Sequence, residues 1–242
     1  MKIGIVGGTG EIGEGMALRL SPKYDVIVGS REETKAIATC DACRASLQER
    51  DQTCSLLGVT NQYAVDEADI VILAIPFKHV VPTLKTLTGF EDKIVVSPVN
   101  PIERTTYFSY APPPEGSAAM MIKGMLPASA TVCAAFNNIA AHRWQMLDEE
   151  LDYSVAVCCD DDGAKQKVME IVNNVSNLRA YDAGPLRAAS IVESVTPLQR
   201  DARRRCKVRI GIKLFSGSPE KGTPLPGKEI PSSDSPALLA LP

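Results

Sequence analysis

The chain has 242 residues, enough for one large domain or a domain with a small appendage, and 45% are hydrophobic, ample for a core. A net charge of −3 gives no electrostatic footprint for nucleic acid or an acidic membrane surface. Seven cysteines, odd in number and irregularly spaced, point to reduced thiols and a cytoplasmic protein rather than a disulfide framework.

No apolar run reaches membrane-spanning length. The first strand starts almost at the first residue, so no cleaved leader is expected. Ile3–Val6 is short and β-branched, as in a strand buried on both faces of a parallel sheet. Gly8-Thr9-Gly10-Glu11-Ile12-Gly13 follows and opens a helix from about Glu11 to Leu20. A glycine turn between such a strand and a helix N-terminus is an anion site, because free N–H groups and the helix dipole point at it. Pro22 and Lys23 break the pattern, Asp25–Gly29 is the second strand, and Glu32 to about Leu47 is a charged helix. Cys40 and Cys43 stand at CxxC spacing on it without a second pair, which favours ordinary thiols over a metal or redox site.

Ala68–Ile75 reads as a further buried strand stopped by Pro76, and Phe77 to about Leu87 as a helix. Lys93–Ser97 is a strand, Pro98-Val99-Asn100-Pro101 a constrained turn, and Pro112–Pro114 a rigid loop. A helix from about Ser117 to Leu126 precedes the strand Thr131–Phe136. Tyr153–Cys159 is a strand, Asp162–Val175 a helix, Arg179–Asp182 a short strand, and Ala183-Gly184-Pro185-Leu186 opens a last helical region. From Ser216 onward Ser, Pro, Gly and Lys dominate, the signature of a disordered tail. The alternation predicts an α/β fold: a doubly wound, mostly parallel Rossmann-type sheet with a small C-terminal helical extension. The expected organisation is a nucleotide-binding domain over 1–182, a helical segment over 183–215 and a tail over 216–242.

The second strand chooses the nucleotide. NAD-selective folds place Asp or Glu at its end, on the ribose 2′-OH. Here it ends Val28-Gly29-Ser30-Arg31, with Lys35 one turn on. Ser30, Arg31 and Lys35 would donate to a 2′-phosphate, and each charge-assisted bond is worth about 1.5–3 kcal/mol. That points to NADP(H); the competing reading pairs Arg31 and Lys35 with Glu32 and Glu33 on a solvated face. His79 and His142, the two histidines, have no metal-ligand spacing with other donors. Asp160-Asp161-Asp162 lies before a helix and reads as an N-cap with favourable charge at the dipole. Acid–base groups are scarce, so no catalytic side chain is assigned. A hydride passed between two ring cofactors needs stacking and exclusion of water rather than a protein proton donor.

GGTGEIGEGMALRL, IVGSREE, DIVILAIPFKHV, KIVVSP, VCCDDD and DAGPLRAASIVESVTPL, in this order from Met1 to about Leu198, resemble the NADPH-dependent F420 reductases. These are the archaeal and bacterial 8-hydroxy-5-deazaflavin:NADP oxidoreductases. The resemblance implies reversible hydride transfer between coenzyme F420 and NADP. It implies that Thr9, Gly10, Glu11 and Ile12 hold the pyrophosphate and Ser30, Arg31 and Lys35 the 2′-phosphate. Phe77, Val81 and Ala141 stand at further family contact positions; helix-to-sheet packing is the competing role for Phe77 and Val81.

Two departures stand out. Where relatives can show His and Pro, this chain has Asn137 and Ala140. After Thr196-Pro197-Leu198 the family continues with an apolar helix, whereas here Gln199-Arg200-Asp201-Ala202-Arg203-Arg204-Arg205 follows. That run reads as a solvated helix, as divergence or as a local sequence error. The expected partners are NADP and F420, with a homodimer open and no nucleic acid, membrane or metal. Two other readings stay open: NADPH-dependent reduction of a small imine or ketone, with His79, Tyr107 or Tyr110 as proton donor, and a non-enzymatic NADP(H) sensor.

Overall fold

Strands too apolar to leave a face in water dictate a sheet covered by helices on both sides. A computed structural model describes residues 1–207 and 210–214. Strand β1 (Lys2–Val6) leads to helix α1 (Glu11–Leu20), β2 (Asp25–Ser30) to α2 (Glu33–Gln48), and β3 (Ser55–Thr60) to α3 (Asn61–Glu67). β4 (Ile70–Leu73) leads to α4 (Phe77–Leu84), and β5 (Ile94–Ser97) to a hairpin of β6 (Ile102–Arg104) and β7 (Phe108–Tyr110), followed by α5 (Ala118–Met125). β8 (Thr131–Ala134) is followed by α6 (Ala141–Gln145), β9 (Tyr153–Cys159) by α7 (Asp162–Asn174), and β10 (Leu178–Asp182) by a 3-10 turn and α8 (Ala189–Cys206).

Eight strands form one sheet in the order β10-β9-β8-β5-β4-β1-β2-β3. Every neighbouring pair is parallel except β8 and β9. This is the mostly parallel Rossmann-type sheet expected, with α8 as its C-terminal helix. Alternation along the central strands sorts the core into two layers. Ile3, Ile5, Ile70 and Ile72 pack with Met16, Leu20, Leu47, Trp144 and Val168, under α1, α2, α6 and α7. Val6, Val71 and Leu73 pack with Val80, Ile122, Leu186 and Ala189, under α4, α5 and the start of α8.

Cys40 and Cys43 belong to the first layer; burial pushes their thiols up to about 11 and about 12, the behaviour of core residues. Asp161 caps α7, its carboxylate accepting from the Ala164 N–H at 2.7 Å, as expected of an Asp run before a helix. Among the described residues no helix is long and apolar enough to cross a membrane.

Five elements were not anticipated: β3, the short α3 that follows it, β6, β7 and α6. β3 is an edge strand whose apolar residues are partly in water, with Leu57 47% exposed, so its pattern is weak. The β6–β7 hairpin and α6 are only three and five residues per element, too short for periodicity to register. The strands expected over 68–75 and 131–136 are shorter in the structure, Ile70–Leu73 and Thr131–Ala134, because the apolar runs continue into turns. The expected tail, 216–242, lies outside the described residues.

Candidate active site

The sheet order reverses between β1 and β4: the chain leaves β1 towards β2 and β3 and later returns to build outward from β4. A crevice opens beyond the carboxyl ends of strands at such a point. The cleft there, of about 810 Å³, is lined by the turns after β1, β4, β5 and β8 and by one face of α8. That volume falls within the usual range for small-molecule and cofactor sites.

The β1 side of the cleft is the glycine turn. Gly8 N–H donates to Gly29 O at 2.8 Å, and Gly10 N–H to Gly7 O at 3.1 Å, closing the turn against β2. The N–H groups of Thr9, Glu11 and Ile12 have no partner among the described residues, as the first turn of a helix dictates. A Cβ on Gly13 would come within 2.5 Å of Gly8 Cα and 2.7 Å of Gly7 O, so only glycine lets α1 start this close to the strand. Free amides, a helix dipole and a bare backbone form an anion cradle that suits a pyrophosphate.

Gly10, Glu11 and Ile12 line the cleft, and Thr9 sits within the turn. Ser30 is buried at the end of β2 and its Oγ accepts from Glu32 N–H at 3.2 Å, leaving its own hydrogen to donate. Arg31 is exposed and has no ion pair among the described residues. Lys35 pairs with Glu32 at 2.7 Å with both side chains more than half exposed, a weak bond that a doubly charged phosphate can replace. The three stand beside the glycine turn but outside the main cleft.

On the β4 side, Ile75, Pro76, Phe77 and Lys78 line the cleft. Phe77 also packs against the second core layer, so one side chain both lines the cleft and packs helix to sheet. Val81 packs half-buried on that layer and does not line the cleft. Ala141 lines it, at the start of α6.

Of the far wall, Asn137, Ala140 and Ala141 had been singled out in the sequence, and Phe136 and Asn138 had not. Phe136, buried and lining the cleft, has φ +66, a left-handed conformation that strains a bulky residue by roughly 1–2 kcal/mol. It turns the chain sharply and carries Asn137 and Asn138 into the cleft wall. Asn137 Nδ2 donates to Val99 O at 3.0 Å and Asn138 Nδ2 to Ser154 O at 2.8 Å. The backbone carbonyl of Asn137 accepts from Asn100 Nδ2 at 2.8 Å and from Thr196 Oγ1 at 2.6 Å, stitching the β5 turn, the β8 turn and α8 together. Each amide spends its donor on the scaffold. The Oδ1 atoms of Asn100, Asn137 and Asn138 remain buried without a partner among the described residues, a cost of about 1–3 kcal/mol apiece. A positive φ at a non-glycine residue has no sequence signature.

α8 closes the cleft. Gln199, Arg200 and Arg203 of the basic run line it, so the run is an amphipathic helix with a functional face rather than a purely solvated one. Of the proton donors weighed for carbonyl or imine reduction, none lines the cleft. His79 and Tyr107 are exposed elsewhere, and the Tyr110 hydroxyl bonds Glu193 and Gly116 O. His142 and Tyr153 do line it. No group of three or more His, Cys, Asp or Glu that could hold a metal occurs among the described residues.

The family model described as NADP oxidoreductase, coenzyme F420-dependent, matches residues 2–101. The F420-dependent NADP reductase of Methanocaldococcus jannaschii is 36% identical over 204 residues, covering 82% of this chain and 90% of that protein. The enzyme of the same description from Methanothermobacter thermautotrophicus is 34% identical over 88% of this chain and 94% of its own length. A solved structure from Arthrobacter sp. FB24 shares the fold with a TM-score of 0.74 at 20% identity, covering 89% of this chain and all of its own. Full-length similarity to these enzymes, on a fold whose crevice carries the glycine cradle and a strand ending in Ser30-Arg31, shows that the chain belongs to the F420-dependent NADP reductase family.

Proposed function

We propose that the chain catalyses reversible hydride transfer between NADP(H) and coenzyme F420, with both held in the one cleft. The observation that carries this reading is the cradle at the N-terminus of α1 opening into a cleft whose far wall is held rigid by Asn100, Asn137 and Asn138. When bound, the cosubstrates supply the chemistry: a hydride moves between nicotinamide C4 and deazaflavin C5.

The chain's own residues bind, orient and exclude water. Thr9, Gly10, Glu11 and Ile12 would hold the pyrophosphate by backbone amides, and Ser30, Arg31 and Lys35 the 2′-phosphate by donated hydrogen bonds. Phe77, Val81 and Ala141 are proposed as the apolar contacts that set ring position. Phe77 and Ala141 do so from the cleft wall, and Val81 by seating α4 beneath it. Asn100, Asn137 and Asn138 would hold the wall that faces the ring systems. The stitched wall from Val99 to Thr196 fixes their geometry, which is the main protein contribution when both reactants are hydride carriers.

No side chain is required to move a proton. A cytoplasmic location is supported by the free thiols, and a homodimer by Ile191 and Leu198, 71% and 64% exposed and seven residues apart on one face of α8. Adding NADPH to the protein with F420 should bleach the deazaflavin absorbance. Full oxidation of NADPH by a panel of small imines or ketones, without any bleaching of F420, overturns the reading.

A further inference from the structure

The charged residues that line the cleft are Glu11, Lys78, Arg143, Arg200 and Arg203. One carboxylate faces four cations. Arg143 is neutralised by an ion pair with Glu149. The arginines of the basic run divide by face. Arg204 pairs with Asp201 at 3.4 Å, whereas Arg200 and Arg203, one turn apart, face the cleft with no ion pair among the described residues.

Arg200 is preorganised: its guanidinium lies 4.3 Å from the Phe108 ring centroid. Stacking holds the plane and leaves the in-plane N–H groups free to donate. Asp201 secures the same ring's residue from the backbone side, accepting from Phe108 N–H at 3.1 Å.

Position separates these arginines from the nucleotide cradle. The cradle follows β1 and belongs to the helix layer of α1. α8 belongs to the opposite layer and is tied to the turn after β8, two strands beyond β4. Arg200 and Arg203 line the cleft and are yet exposed, so they stand where it meets solvent, the place that an anionic substituent extending out of a cleft of about 810 Å³ would reach.

We propose that Arg200 and Arg203 form an anion site for the phosphate- and carboxylate-bearing side chain of the deazaflavin cosubstrate, distinct from the nucleotide phosphate cradle. This rests on the F420 reading of the cleft. The site makes the substrate class specific: a deazaflavin with its anionic extension binds more tightly than the bare 8-hydroxy-5-deazariboflavin core. Lys78 lines the cleft from α4, on the β4 side, and is not part of it.

The test is equilibrium binding, by calorimetry or deazaflavin fluorescence, of the full chain with three probes: F420, the phosphate-free core and NADPH. Arg200→Gln/Arg203→Gln should raise the Kd for F420 by about tenfold and flatten its salt dependence. The Kd values for the core and for NADPH should stay within about twofold of the parent's. Arg203→Gln alone, at an exposed residue without an ion pair, should give a smaller selective loss and guards against a folding defect in the double variant. Equal weakening of F420 and core, no change for either, or a loss confined to NADPH overturns the proposal. A parent chain that binds neither deazaflavin overturns the F420 reading itself, and the proposal with it.

Discussion

Gly15 of α1 and Trp144 of α6 pack so closely that a Cβ on Gly15 would stand 2.3 Å from Trp144 Cβ. The indole is fully buried, edge-on to Phe136 at 5.6 Å, so this contact seats the helix that follows the strained residue of the cleft wall. Arg19, one turn further along α1, completes the joint by donating to the carbonyls of Trp144 at 2.8 Å and Met146 at 2.6 Å. Gly15→Ala should therefore destabilise the protein by about 1–3 kcal/mol through overpacking, exceeding the gain of up to about 1 kcal/mol in helix propensity. Urea unfolding monitored by the single tryptophan measures it. An unchanged or higher midpoint would show that α1 and α6 separate freely.

Glu193 joins α8 to α5. Its carboxylate is fully buried and accepts from Ala118 N–H at 2.9 Å, Ala119 N–H at 3.0 Å and the Tyr110 hydroxyl at 3.1 Å. Burial raises its pKa above the ordinary 4.5, outweighing the hydrogen bonds that favour the ionised form. The folded state then holds the proton more tightly than the unfolded chain. This group's contribution to stability is full below pH 4.5 and falls as pH rises through the higher folded value. Glu193→Gln keeps one acceptor, turns an amide donor towards a backbone N–H and cannot titrate, so its deficit should be largest in acid, about 1–3 kcal/mol, and narrow towards neutrality. Denaturation midpoints for both proteins between pH 4.5 and pH 7.5 decide it. A deficit that widens with rising pH would mean that the α5 amides dominate over burial.

Arg31 stands exposed beside the glycine turn, remote from the reacting carbons. Arg31→Ala should raise the KM for NADPH by about tenfold and change kcat less, because it removes binding that ground and transition states share. The discrimination against NADH should shrink by a similar factor. Equal use of NADPH by variant and parent removes Arg31 from the 2′-phosphate site.

Cys206 is exposed, Cys54 partly so, and the other five thiols are buried. Native protein should show one fast-reacting thiol per chain with Ellman's reagent, lost in Cys206→Ser. Rapid reaction of Cys40 or Cys43 would show that α2 leaves the sheet far more readily than its packing implies.

The glycine turn, its flanking strands and Ser30-Arg31 were legible because they are local: a β-branched run, a helix start and a strand end announce themselves within a few residues. Phe77 and Ala141 came from family resemblance, and the structure places both on the cleft wall. Phe136, Asn100, Asn138 and the cleft-facing arginines were not legible. A positive φ at phenylalanine is imposed by its surroundings, and an orphaned Oδ1 is orphaned only once its Nδ2 has been claimed by a distant carbonyl. The basic run looked like a solvated face because its partners, Phe108 and the cleft, lie about ninety residues or more earlier in the chain or belong to four separate turns.

Composition and periodicity alone determined a doubly wound, mostly parallel α/β protein, and the residues of its first turn and second strand pointed to a phosphate cradle and to NADP. These follow from short-range rules of burial, helix termini and charge. Only the tertiary structure decided that Gly15 serves Trp144 rather than the nucleotide and that Arg19 caps a distant helix. It also decided that Arg200 and Arg203 line the cleft while Arg204 pairs with Asp201. Each of these depends on which surfaces meet when two helix layers close on one sheet, and packing of that kind is a property of the whole chain.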